Sequence, residues 1–227
     1  MNKTIIAIDG PSGVGKGTLA RNIARFYGFA HLDTGSLYRA MTLHLINSGA
    51  DMDNLTEELV TAETQKISDD LSILEYAKSP DIRDVKVGKF VSPVASFGKA
   101  REVIKKFQVD FGHFPPALKD GSPAKGAVVE GRDITTAIFP DAPLKIYLNA
   151  TPEEKARRRV KQYADEGIEA NYDEILADQI KRDQGDTHRT HGALMIAPDA
   201  HVIDNSNLQK EDTFEIAKGL IKDTFGL

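Results

Sequence analysis

The chain has no cysteine among its 227 residues, which excludes disulfides, thiolate metal sites and a cysteine nucleophile, and agrees with a reducing compartment. Long apolar runs are missing too. The first hydrophobic stretch, Thr4-Ile5-Ile6-Ala7-Ile8, stops at Asp9 and Gly10, far short of a secretory leader or a membrane span. Charge of one sign is also scarce: 29 Lys and Arg face 34 Asp and Glu, a net of −5. That balance gives no global field to attract nucleic acid or an anionic membrane, so any polyanion site must be local. There is no internal repeat and no low-complexity tract. Together these absences predict a cytoplasmic, soluble protein without nucleic-acid or membrane partners; small-molecule partners and a monomeric state are expected beside them.

What is present is concentrated near the start. Residues Gly10-Pro11-Ser12-Gly13-Val14-Gly15-Lys16-Gly17-Thr18 follow the apolar stretch and precede a pattern with Leu19, Ile23 and Phe26 on one helical face. This predicts strand, glycine loop and helix. Glycines let a backbone curl around a polyphosphate and offer it consecutive N–H groups, while the helix N-terminus adds partial positive charge and Lys16 a full one. The spacing fits GxxxxGK, but Gly17 stands where the general pattern has Ser or Thr, and the hydroxyl comes one residue later at Thr18. Among P-loop proteins this GKGT sequence resembles the nucleoside monophosphate kinases, in which magnesium is held less directly by the loop than in GTPases.

Along the chain, Gly28 predicts the helix end and Phe29-Ala30-His31-Leu32 a second strand. In Asp33-Thr34-Gly35-Ser36-Leu37-Tyr38-Arg39, Thr34 or Ser36 is read as the cap of a new helix. Arg39 reads equally as an anion-binding group or as a surface arginine. Residues 41–83 are polar and helical with Leu55, Leu59 and Ile67 as the apolar stripe, and Leu71–Tyr76 has room for a strand or two. Ser92-Pro93 is read as opening a helix that runs to Phe111, with Ser92 as its N-cap. Ala127-Val128-Val129 is a buried strand that delivers Glu130-Gly131-Arg132-Asp133 to the ligand edge of an open α/β sheet. Pro143–Leu148 is the next strand, and Thr151 caps a helix carrying Arg157, Arg158 and Arg159. Three consecutive arginines fan across roughly 200° of a helix, so only one or two of Arg158 and Arg159 are expected at a nucleotide. A polar region follows to Arg189. His188 and His191 have metal-like spacing but no third partner, and read as exposed residues.

GPSGVGKGT, DTGSLYR, SPVASFGKAR, EGRD with FPDAPLKIYL, and RDQGDTHR occur in one order over nearly the whole chain. In this the sequence resembles the bacterial cytidylate kinase family. The resemblance implies a P-loop NTPase-like α/β fold: a parallel five-stranded sheet with helices on both faces, a core of residues 1–35, 116–156 and 190–227, a substrate-binding insertion at 36–115, and a lid at 157–189. It implies ATP as donor, Mg²⁺ as cofactor, and CMP with dCMP as acceptors. Lys16, Arg132 and Arg189 are then the catalytic cations. Thr34, Tyr38, Arg39, Ser92, Arg101, Glu130, Arg132, Asp133, Arg182, Asp186 and Arg189 match substrate-binding positions, with Arg182 orienting Asp186 toward the sugar. No residue is assigned as a direct metal ligand. The chain departs from the family pattern at Glu130, where Asp is commoner, at Thr135, where glycine commonly stands, and at Gly192-Ala193-Leu194, which replaces a proline. Kinases for UMP, AMP or shikimate, and a nucleotide-hydrolysing switch, are the alternatives.

Overall fold

The computed structural model describes residues 4–188 and 192–227. The described chain forms two compact units, one comprising the residues through Leu32 together with Gly112–Leu227, the other Asp33–Phe111.

The first unit is built on a five-stranded parallel sheet of β1 (Ile5–Asp9), β2 (Ala30–Asp33), β3 (Ala127–Gly131), β4 (Leu144–Asn149) and β5 (His201–Asp204), in the spatial order β2-β3-β1-β4-β5. β1 lies at the centre, pairing Ile6 with Val128 and with Leu144. Every residue of β1 and β3 is buried, which explains the apolar runs Ile5–Ile8 and Ala127–Val129 and makes the buried carboxylates that follow them, Asp9 and Glu130, stand out. Ile6, Ile8, Val128, Ile146 and Leu148 share a core with Leu19, Ala20 and Ile23 of α1 (Lys16–Tyr27) and with Ala217 and Ile221 of α9 (Lys210–Phe225). α1 ends at Gly28, left-handed at φ 70°, whose N–H donates to Ala24 O. Between β4 and β5 run α7 (Pro152–Asp165), capped by Thr151, and α8 (Tyr172–Thr187), capped by Asn171. Consecutive parallel strands open at one edge, so the turns after β1, β3 and β4 all lie there.

The second unit contains α2 (Thr34–Asn47), α3 (Glu57–Asp69), α4 (Ile73–Tyr76), a 3₁₀ turn (Pro80–Arg83), α5 (Val85–Ala95) and most of α6 (Gly98–His113). Buried His44 joins three of them: its Nε2 lies 2.6 Å from Glu63 Oε2 and its Nδ1 3.2 Å from the Tyr76 hydroxyl. Several sequence expectations are corrected here. Leu71–Tyr76 is not a strand, because Leu71 turns left-handed at φ 62° and the Asp70 carboxylate accepts from Ser72 N–H, starting a helical turn instead. Ser92 does not open a helix. Asp84 caps α5 eight residues earlier, and the buried Val87, Phe90 and Val94 carry that helix through Pro93, which forgoes one backbone bond near the end. Asp33, rather than Thr34 or Ser36, caps α2, accepting from Ser36 N–H. In α3 the buried stripe is Val60, Thr64 and Ile67, while Leu59 is 40% exposed. No helix among the described residues is long and apolar enough to cross a membrane.

Candidate active site

The loop after β1 is shaped by contacts to its carbonyls. Gln179 Nε2 donates to Ser12 O at 3.0 Å, and Asn205 Nδ2 to Val14 O at 2.9 Å, joined there by Arg158 Nη1 at 3.3 Å. A trans peptide points its N–H opposite to the preceding C=O, so holding these two carbonyls outward turns the amides of Gly13 and Gly15 inward. Both glycines have positive φ, 82° and 96°. The result is a nest of N–H groups at the start of α1, suited to phosphate oxygens. At the other end of the loop Gly10 lies against β4, where a Cβ would sit 2.1 Å from Leu148 O, so no larger residue fits without moving that strand. Lys16 is 8% exposed, and its Nζ donates to Gly10 O at 2.7 Å and Pro11 O at 2.9 Å. Its charge therefore sits at the mouth of the nest.

Gly17 has its own reason. A Cβ there would lie 3.3 Å from Glu130 Oε1 and 3.1 Å from Arg21 Nη1, so the space taken elsewhere by a Ser or Thr side chain is bounded by a buried carboxylate from β3. His31 Nε2 lies 2.8 Å from that same Glu130 oxygen.

Past β3, Asp9 organises the turn. It is fully buried, its Oδ1 accepts from Ile134 N–H at 3.0 Å, and its Oδ2 accepts from Thr135 N–H at 2.7 Å and the Thr135 hydroxyl at 2.6 Å. Burial holds the Asp9 carboxyl above the ordinary carboxylate range, against the pull of those bonds. Thr135 thus has a function that glycine would lack. The turn Ile134–Ile138 is a single π-helical turn, and it leaves Asp133 half-exposed at its start. Arg132 donates from Nε to Asp186 Oδ2 at 2.7 Å.

Asp186 belongs to one face of α8, with Gln179 and Asp183 at the spacing i, i+4, i+7. Each contacts a different element: Gln179 the loop, Asp183 the buried Lys155 of α7, Asp186 the residue after β3. Arg182 lies off this face, half-exposed and paired with Asp178, so the expected Arg182–Asp186 partnership is not formed. Arg158 grips the loop after β5, donating to Asn205 O at 2.7 Å, whereas Arg159 turns to Gln162 and the Tyr163 ring. In the second unit, Arg101 stacks its guanidinium 5.5 Å from the Tyr38 ring centre and donates to Ala95 O. Arg39 donates to Ile82 O, Thr34 is buried in the first turn of α2, and Ser92 is exposed in the last turn of α5. Arg189 and His191 lie outside the described residues; His188 is exposed, and no group of three metal-binding side chains occurs among the described residues.

Asp9, Lys155, Gln179, Asp183 and Asn205 were not identified from sequence. Asp9 had one local signal, a carboxylate at the end of an otherwise apolar strand. Asp183 lay within RDQGDTHR without an assigned partner. The other three look like ordinary surface residues until the fold brings them to the loop.

The cytidylate kinase family model matches residues 6–223. A cytidylate kinase of Paramagnetospirillum magneticum is 39% identical over 219 residues, covering 96% of this chain and 97% of its own. A cytidylate kinase of Parabacteroides distasonis is 38% identical over 224 residues, covering 93% of each. A crystal structure of an uncharacterised Eubacterium ventriosum protein is similar in fold, with a TM-score of 0.51 and 12% identity, covering 96% of this chain and 98% of its own. Matched by the family model over residues 6–223 and by a relative at 39% identity over 96% of its length, the chain belongs to the cytidylate kinase family.

Proposed function

We infer that this protein transfers the γ-phosphoryl group of ATP to CMP, releasing CDP and ADP, and that it also accepts dCMP. The observation that carries the reading is the loop itself: inward amides, Lys16 at the mouth, and Arg132 beyond the neighbouring strand. A phosphate oxygen of CMP attacks Pγ in line. As that P–O bond forms, the bond from Pγ to the β,γ-bridging oxygen breaks and its electrons leave with ADP. No covalent enzyme intermediate is needed, so the protein's work is to position two anions and stabilise charge shared over the transferring group. We assign Lys16 and the loop amides to the donor phosphates and Arg132, with Arg189, to the transferring group.

Magnesium, when bound with ATP, neutralises phosphate charge. A hard dication takes oxygen donors and retains water. Glu130, a carboxylate beside Gly17, fits such an ion, and the Thr18 hydroxyl is assigned to it from its place in the loop sequence alone; Asp9 does not fit, because both its oxygens already accept from the turn after β3.

For the acceptor, Asp133 is assigned to the cytosine amino group, with Ser92 and Arg101 as further base donors on the family resemblance, and Tyr38 and Arg39 to the phosphate. Cytosine offers a donor at position 4 where uracil offers an acceptor, so a carboxylate there separates the two. Asp133→Asn is expected to lower kcat/KM for CMP by roughly tenfold or more while changing the UMP value less, since it removes the charge and lets an amide donate to O4. A parallel fall for both acceptors would remove Asp133 from base recognition.

Asp186 is assigned to the sugar. Asp186→Ala also unpairs Arg132, and is expected to lower kcat/KM for CMP by about ten- to a hundredfold, more than Asp186→Asn does. Equal parameters for Asp186→Ala and the unsubstituted enzyme, with CMP and dCMP, would contradict the assignment.

The whole reading is tested by ADP release from ATP alone and with CMP, UMP, AMP or shikimate. CMP is expected to give the fastest release and ATP alone the slowest. Rapid release without an acceptor would instead indicate a hydrolase.

A further inference from the structure

The Glu130 carboxylate is 4% exposed, and it stands beside Ile8 of the central strand. A glutamate has one more rotatable bond than an aspartate, so its head group needs something to hold it in one place. His31 supplies that hold from β2, the strand next to β3. A carboxylate offers only acceptors; Nε2 of His31 therefore carries the proton and donates it across the 2.8 Å contact. The oxygen thus held is the one that lies 3.3 Å from the Cβ position of Gly17, immediately after Lys16. Arg21 of α1 bounds the same space, with Nη1 3.1 Å from that position. His31 belongs to neither the glycine loop nor the EGRD stretch, yet it bonds the carboxylate that lies between them.

We propose that His31 is a positioning residue for phosphoryl transfer: by donating from Nε2 it fixes the Glu130 carboxylate beside Gly17, and so sets how much more tightly the loop holds magnesium–nucleotide than metal-free nucleotide. This rests on the kinase reading above. The effect passes through Glu130, so three consequences follow together. Loss of the donor weakens the magnesium-dependent part of binding and leaves the metal-free part. An amide long enough to reach Glu130 restores it. In a chain whose Glu130 has already lost its charge, loss of the donor changes nothing further.

The experiment titrates a fluorescent ADP analogue into the full chain, once with excess Mg²⁺ and once with EDTA, and records thermal melts alongside. His31→Leu is expected to weaken binding about tenfold with Mg²⁺, as for loss of one charge-assisted hydrogen bond, and by less than about twofold with EDTA. His31→Gln is expected to recover most of the loss. His31→Leu combined with Glu130→Gln is expected to match Glu130→Gln alone. Should His31→Leu melt early, His31→Asn, whose amide is too short to reach, makes the same comparison with His31→Gln. An unchanged ratio of the two affinities, equal weakening in both buffers, or additivity with Glu130→Gln would each overturn the proposal. Failure of CMP to stimulate ADP release by the unsubstituted chain would instead sink the kinase reading, so the two failures are separable.

Discussion

Lys16→Ala is expected to lower kcat by about three orders of magnitude. The Lys16 ammonium sits at the mouth of the amide nest, bonded to Gly10 O and Pro11 O, where a water-poor setting makes a full charge count for more than it would in solution. Its contribution grows as charge develops on the transferring phosphoryl group, so the loss should fall on kcat more than on KM for CMP. A lysine in a loop motif is ordinarily solvent-exposed, and its removal then costs the fold little. At 8% exposure it is better regarded as a buried cation, and the substitution leaves two loop carbonyls without this donor. A fall in Tm of a few degrees is therefore expected beside the kinetic loss, from about 1–2 kcal/mol of destabilisation. Single-turnover transfer and thermal melts measure the two effects separately. A folded variant with near-normal CMP phosphorylation would refute the role given to the loop.

Asp9→Ala should have the largest effect on stability. It removes the acceptor of two backbone N–H groups and one hydroxyl, all in a buried place that water does not reach. Unsatisfied buried donors cost about 1–3 kcal/mol each before relaxation, so a loss of about 3 kcal/mol and a Tm lower by roughly 6–12 °C are expected. Activity should fall as well, because the turn that Asp9 holds begins at Asp133 and follows Arg132. The pH dependence has a definite sign. A carboxyl whose folded pKa lies above its unfolded value contributes stability that is fully present below the unfolded pKa and is lost as pH rises through the folded one. Other carboxylates, such as Glu63 and Asp199, are held below their ordinary values and slope the opposite way, so the sign appears in the difference: chemical denaturation should show the natural chain losing stability relative to Asp9→Ala as pH rises across the acidic range. Equal slopes would mean that Asp9 titrates alike in the folded and unfolded chains.

The phosphate loop was legible from sequence because its parts are consecutive: glycines, a lysine at a fixed offset, an apolar strand before and an apolar helical face after. What holds the loop was not legible. Gln179 is 167 residues from Ser12, and Asn205 is 191 from Val14, and nothing in the residues around either marks a partner so distant. Lys155 was hidden for a different reason. Lysine among acidic and basic neighbours on a helix reads as solvated, yet it is one of the most deeply buried side chains, paired with Asp183. The errors in the second unit came from applying local rules singly. Ser-Pro is a sound helix opener, but an earlier aspartate cap and a buried Val87, Phe90 and Val94 stripe overrode it. The run from Leu71 to Tyr76 has strand-forming residues, and a single left-handed leucine redirected it.

The strand order carries a consequence for the chain as it is made. β1 is synthesised first but occupies the centre of the sheet, and its first partner, β3, emerges about 120 residues later, roughly 6–25 s at ordinary translation rates. For that interval Ile5, Ile6 and Ile8 have no sheet to enter, and the whole of Asp33–Phe111 leaves the ribosome before the strand that flanks them. The glycine loop waits longer still, since one of the side chains that hold Val14 O belongs to Asn205, 191 residues further along. The nucleotide motif is therefore translated well before the residues that give it its working shape, and a chain that has not yet reached Gln179 and Asn205 carries the glycine loop without the side chains that hold it.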